Sequence, residues 1–189
     1  MQGHKRRNRK SRIQALITTC PSGISRVGFF YIILYTYIMN IHFVCTGNTY
    51  RSRIAEAYLK SKQLPNIEVS SSGTGAEKNL SGTITSYTKD ILEKEGILSY
   101  AKKTWTQTTK AELARQDLII FMAKAQLDYC TNFLGFLPKK YEVWNVKDVN
   151  DVLPESKQNE KSISEFAKEN YMVIIEKVDE LETRIKNDL

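Results

Sequence analysis

VCTGNTYRSR, residues 44–53, joins two segments of different periodicity. Before it, IHFVC (41–45) is a short apolar run with the length of a buried strand. After it, SRIAEAYLKSK (52–62) carries Ile54, Ala55, Ala57, Tyr58 and Leu59 at helical spacing. A strand, a short glycine-containing loop and a helix therefore follow one another. The loop holds a lone cysteine, Cys45, and an arginine six residues on, Arg51.

Downstream the same alternation continues. Pro65 and Asn66 punctuate the chain, IEVSS (67–71) reads as a second strand, and SSGTGAEKNLSG (71–82) as a loop. A helix is expected from Ser81 to Glu95, with Ile84, Tyr87, Ile91 and Leu92 on one face and Gly96 as its stop. KAELARQ (110–116) predicts a short helix, DLIIFM (117–122) a third strand, and AKAQLDYCTNFLG (123–135) a helix ending at glycine. YEVWNV (141–146) predicts the fourth strand, KDVNDVLPES a loop, and Ser164 to Lys186 a long amphipathic helix. Strands alternating with helices imply a three-layer α/β/α domain over 39–189. Its four-stranded sheet is mainly parallel and covered on both faces.

At 189 residues there is room for one such core. The net charge of +7 is a property of the N-terminal stretch: residues 1–38 hold seven of the 28 Lys and Arg and no Asp or Glu. Beyond residue 38 the two signs balance, so the domain carries no nucleic-acid signature. VGFFYIILYTYIM, about 13 residues, falls short of the roughly 20 that a helical membrane span requires. No small-residue cleavage site follows it. Residues 1–38 are read as a leader outside the domain, either an over-extended start, with Met39 as the functional one, or disordered. The three cysteines and two histidines show no zinc spacing and make a poor disulfide framework. A reducing cytoplasm is the simpler setting.

In an open parallel sheet, ligands bind beyond the carboxyl ends of the strands, where Cys45 falls. Thr46, Gly47, Asn48, Thr49 and Tyr50, with Arg51, place backbone N–H groups around a concave space at a helix N-terminus, which suits an anion. Gly47 is expected to take a positive φ, and Asn48 to tolerate one and tie the loop with its amide. Arg51 offers a planar fork for two phosphate oxygens. Such a field favours the reactive thiolate of Cys45, to which the Ser52 hydroxyl is placed to donate. These are the parts of covalent phosphoryl transfer. The competing view, a buried structural cysteine with a surface arginine nearby, does not account for Gly47, Asn48 and Ser52 together.

FVCTGNTYRSRIAEAYL closely resembles the catalytic loop of the low-molecular-weight protein tyrosine phosphatases, usually V-C-x-G-N-x-C-R-S-P-x-A-E. The resemblance runs through SSSGTG, ELARQDLIIFM and VWNVKDVND, and so covers about 39–185. It implies a four-stranded parallel sheet, a cysteinyl-phosphate intermediate, a phosphorylated protein as partner, and no metal or cofactor. It implies Cys45 as nucleophile, Arg51 and the loop amides as phosphate ligands, and Asn48 and Ser52 as residues that order the loop. Trp144, Val146 and Asp148 fall on the family's W-x-V-x-D, which makes Asp148 the general acid, with Asp151 as the alternative. Three departures stand out. Tyr50 occupies the position of a protective cysteine, Arg53 that of a helix-opening proline, and the acid loop lacks its D-P pair.

Phosphotyrosine is the expected substrate. Phosphoarginine is the alternative, since Thr49 fits members of the family with that specificity. Arsenate reduction would need further thiols, and a non-enzymatic phosphate-binding module would need no acid. The oligomeric state stays open, with a monomer the simplest expectation.

Overall fold

The structure, a computed structural model, describes residues 37–79 and 82–188. The expectations for the leader lie outside the described residues up to Thr36. Four strands form one parallel sheet in the order β2-β1-β3-β4: β1 Met39–Cys45, β2 Ile67–Gly73, β3 Leu118–Phe121 and β4 Tyr141–Val143. The helices are α1 Arg51–Ser61, α2 Ser86–Lys94, α3 Lys110–Leu113, α4 Lys124–Asp128, α5 Val149–Val152 and α6 Glu160–Asp188.

Strand alternation divides the core. Ile41, Phe43 and Cys45 of β1, with Leu118 and Ile120 of β3, point to the face covered by α1, α2 and α6. Val44, Ile119 and Phe121 point the other way and pack with Leu113 and Cys130. In α6 the buried Ile174, Val178, Leu181 and Ile185 repeat every three or four residues, one stripe of a 3.6-residue helix. Each such side chain contributes about 1.5–3 kcal/mol on burial. No helix of the described residues is long and apolar enough to cross a membrane.

The elements differ from sequence expectation at several places. Helix α2 opens at Ser86 because Thr85 is extended and its N–H donates to Thr49 O at 3.3 Å. Strand β4 ends at Val143, two residues before Asn145 takes a positive φ of 54°. The expected loop KDVNDVLPES contains the short helix α5, because Asp148 accepts from Val149 N–H and Asp151 from Asp148 N–H, both at 2.8 Å. The segment after Ala123 is α-helical only to Asp128 and continues as a π turn, Tyr129–Phe133. Helix α6 opens at Glu160, four residues early, where Asn159 and Ser162 cap each other reciprocally at 2.9 and 3.0 Å.

A buried imidazole sits inside the sheet. His42 is fully buried on β1 and contacts Ser70 Oγ at 2.6 Å and Ser72 Oγ at 2.7 Å. Burial, and secondarily the Lys102 charge, lower its pKa from 6.5 to about 3. The folded state therefore holds this ring neutral while the unfolded state protonates it, so stability is lost as pH falls from 6.5 toward 3. Within that window the contribution approaches about 1.4 kcal/mol per pH unit. Urea unfolding at pH 7 and pH 5 should show the wild type losing about 2 kcal/mol more than His42→Gln. Equal losses in the two proteins would remove His42 as the cause.

Candidate active site

Cys45 ends β1, and the chain turns through Thr46–Tyr50 into α1. The loop carbonyls are bound from behind. Thr74 N–H donates to Cys45 O and Gly75 N–H to Thr46 O, both at 3.0 Å. Asn79 Nδ2 donates to Gly47 O at 3.3 Å, and Thr85 N–H to Thr49 O. With their oxygens engaged outward, the peptides turn N–H groups into the concave side. Helix α1 has no side-chain cap and no acidic residue in its first turn, so its N-terminal field is left for an anion.

The positive φ falls on Asn48, at 54°, and not on Gly47 as the loop pattern predicts. An added Cβ at Gly47 would stand 3.3 Å from Thr49 Oγ1, so the threonine side chain would have to give by a few tenths of an ångström. Asn48 is fully buried. Its Oδ1 accepts from Thr106 N–H at 2.8 Å, so Nδ2 must face Ser52 Oγ (3.0 Å) and Ser71 Oγ (2.8 Å). Ser52 accepts from Asn48, which leaves its own hydrogen for Cys45 Sγ at 3.0 Å. Asn48 N–H also donates to that sulfur, at 3.1 Å. Two donors thus converge on a cysteine that is 2% exposed.

Arg51 is buried beside it. Its guanidinium donates to Val146 O at 2.9 Å and pairs with Asp148 Oδ2, while Nε is buried without a partner among the described residues. Cys45, Thr46, Gly47, Thr49, Tyr50, Arg51, Asp148 and Asp151 all line one cleft of about 390 Å³. Asn48 and Ser52 lie behind its wall. The expected site residues are therefore brought together, with the carboxyl of Asp148 reaching Arg51 and that of Asp151 turned to the Asp148 backbone. Among the described residues, no three His, Cys, Asp or Glu side chains gather as a metal site.

Several contributors were not legible beforehand. Gln126 on α4 donates to Thr46 Oγ1 at 3.0 Å and accepts from Ala123 N–H at 2.6 Å, fixing the Thr46 side chain at the cleft. Asn79, Thr85, Tyr87 and Asn150 complete the rim. Ser71 carries the Asn48 contact on to Glu56, at 2.5 Å. Cys130 belongs to the core cluster on the opposite sheet face, and burial pushes its thiol up to about 11, so it stays protonated.

A family model for low molecular weight phosphotyrosine protein phosphatase matches residues 40–188. A protein-arginine-phosphatase of Geobacillus stearothermophilus is 46% identical over 57 residues, 30% of this chain and 37% of that protein's length. The Staphylococcus aureus low molecular weight protein-tyrosine-phosphatase PtpB is 37% identical over 117 residues, 61% of this chain and 79% of PtpB. Among solved structures, the YwlE arginine phosphatase from Geobacillus stearothermophilus superposes with a TM-score of 0.58 at 25% identity, covering 77% of this chain and 94% of that one.

The closest packing under the loop is at Gly73, the last residue of β2. A Cβ there would lie 2.4 Å from Thr46 O and 2.7 Å from Asn48 N, both backbone atoms that cannot yield without moving the loop. Gly73→Ala should lower vanadate affinity about 100-fold, as expected for two charge-assisted hydrogen bonds at about 1.5 kcal/mol each. Gly75→Ala, whose Cβ would have only ordinary contacts at 3.9 Å, should stay within about threefold. Equal affinities, measured by competition on folded protein, would show that the loop does not depend on this approach.

Proposed function

The chain belongs to the low molecular weight phosphotyrosine protein phosphatase family, and from that premise we propose that it hydrolyses phosphotyrosine on proteins through a cysteinyl-phosphate. What carries the proposal is the convergence of Asn48 N–H and Ser52 O–H on Cys45 Sγ, at an uncapped helix N-terminus beside Nε of Arg51, which has no partner among the described residues. Two donors aimed at sulfur stabilise a thiolate, and an anion-binding rim brings a phosphoryl group to it.

In the first step Cys45 Sγ forms a bond to phosphorus as the bond to the tyrosine oxygen breaks. The fork of Arg51 leaves Asp148 for the equatorial oxygens, which the loop amides of Thr46, Gly47, Thr49, Tyr50 and Ser52 also meet. Asp148 gives its proton to the departing oxygen. In the second step Asp148 takes a proton from water as the water oxygen bonds to phosphorus, and the P–S bond breaks to return the thiolate. Asp148 is preferred to Asp151 because its carboxyl reaches Arg51, whereas Asp151 holds the backbone N–H of Asp148. Thiolate chemistry with the free cysteines Cys45 and Cys130 belongs to a reducing compartment, so we place the enzyme in the cytoplasm, acting on phosphorylated proteins.

Phosphoarginine is a second reading, favoured by one observation. Tyr50, Tyr87, Ala123 and Ala125 give the cleft an apolar part, but Thr49, Asn79, Thr85, Asn150 and Asp151 also line it, polar groups that can meet a guanidinium. Arsenate reduction is not supported, since Cys130 packs on the opposite face from Cys45.

Cys45→Ser should abolish turnover of p-nitrophenyl phosphate while vanadate still binds, because the amides and Arg51 remain. Activity within about tenfold of wild type would sink the covalent route. Asp148→Ala should slow phosphotyrosine hydrolysis by about 10²–10⁴, with Asp151→Ala much milder. For substrate choice, kcat/KM on phosphotyrosine and phosphoarginine peptides is compared for wild type and Thr49→Ile. If the Thr49 hydroxyl selects arginine, the ratio moves toward phosphotyrosine by about tenfold. An unchanged ratio leaves Thr49 as packing.

A further inference from the structure

Tyr50 stands where the resembling sequences carry a cysteine, and its side chain is bound in a way that a thiol would not reproduce. The residue is 5% exposed, with its ring set edge-on to Tyr87 at 5.1 Å. Its hydroxyl accepts from Nδ2 of Asn170, a residue of α6 that is itself 6% exposed. The same Nδ2 donates at 2.9 Å to Lys147 O, the carbonyl of the peptide that leads into Asp148. Both hydrogens of one amide nitrogen are thus spent joining the phosphate loop to the acid loop.

We propose that Tyr50 and Asn170 are positioning residues for Asp148, forming a strut that sets the acid loop at a fixed height above Cys45. This rests on Asp148 being the general acid. Two consecutive residues of the phosphate loop reach the acid loop, and they do so differently. Arg51 contacts Val146 O and Asp148 directly, and those contacts open when its guanidinium turns to phosphate. The bridge through Asn170 does not involve the guanidinium, so it persists when Arg51 turns. It therefore holds Asp148 at the moment the proton is needed, together with the Val146 N–H donating to Met122 O at 2.7 Å. The Tyr50 carbonyl accepts from Arg53 and Ile54 N–H at 2.9 and 3.0 Å, so the strut is rooted in the first turn of α1.

The test uses the full chain with Asn170→Leu and Tyr50→Phe, assayed on phenyl phosphate, whose leaving group needs a proton, and on p-nitrophenyl phosphate, whose leaving group does not. The expected result is a kcat loss about tenfold greater on phenyl phosphate than on the nitrophenyl ester. Vanadate inhibition should stay within about threefold, and adding Asn170→Leu or Tyr50→Phe to Asp148→Ala should produce no further leaving-group dependence. Losses equal on both esters, or no loss, in folded Tyr50→Phe would overturn the strut. Should Asp148→Ala alone lose equally on both esters, the acid assignment fails and the strut with it. A leaving-group-sensitive Asp148→Ala beside insensitive Asn170→Leu and Tyr50→Phe overturns the strut alone. Melting temperatures identify a variant that has merely unfolded, and either variant then carries the test.

Discussion

The site depends on one close approach: the backbone of Gly73, at the end of β2, packs against the peptides of Thr46 and Asn48. Because there is no side chain, the loop after Cys45 can lie directly on its neighbour strand. Gly73 N–H donates to Thr106 O and Gly73 O accepts from Thr108 N–H, at 2.9 and 2.8 Å, so the glycine is itself clamped. The loop carbonyls are then claimed from outside by Thr74, Gly75, Asn79 and Thr85, and what remains to face inward is a set of donors. In the proposed mechanism the transferred phosphoryl group and Cys45 Sγ meet that same set of donors.

Behind the loop lies a polar layer that a hydrophobic core would normally exclude. Glu56 is fully buried, bound by Ser71 and by Lys60 at 2.6 Å, with Lys102 at 4.0 Å. Arg53, in place of a helix-opening proline, is 1% exposed and donates to the carbonyls of Lys102 and of Thr104, the latter at 2.7 Å. Its helix propensity alone says nothing of this. The arginine fastens the 102–104 segment to α1, and that segment delivers the Thr106 N–H that orients the Asn48 amide. Buried charges of this kind are weak evidence for stability. Here they fix which way one amide points, and so where the hydrogens on Ser52 go.

The fold was legible because its signals are local. Apolar runs at 41–45 and 117–122 and the helical stripes of α1 and α6 need only short windows to be read, and alternation of the two types implies a parallel sheet. The core of the site was legible for the same reason: Cys45, Asn48, Arg51 and Ser52 lie within eight residues. What escaped are contacts spanning the chain. Gln126 reaches Thr46 across 80 positions and Asn170 reaches Tyr50 across 120, and neither has a local pattern to betray it. The Gly47 expectation failed for a subtler reason. Conformational freedom points to glycine for the positive φ, but the asparagine beside it takes that conformation and gains four hydrogen-bond contacts by doing so.

A thiol next to Arg51 and a tyrosine there answer different needs. A neighbouring thiol can trap an oxidised Cys45 as a disulfide, and this chain has none in the loop. Cys130 is no substitute, being buried in the opposite core cluster and held as a thiol. A tyrosine hydroxyl reaches farther than a thiol, far enough to meet Asn170 and through it the backbone before Asp148. Burial raises the pKa of that hydroxyl, which keeps it neutral and able to accept from the amide without bringing a charge next to the thiolate. Under the proposed mechanism the tyrosine gives up chemical protection of Cys45 and gains a mechanical link to Asp148. Such an exchange suits a site where oxidants are scarce.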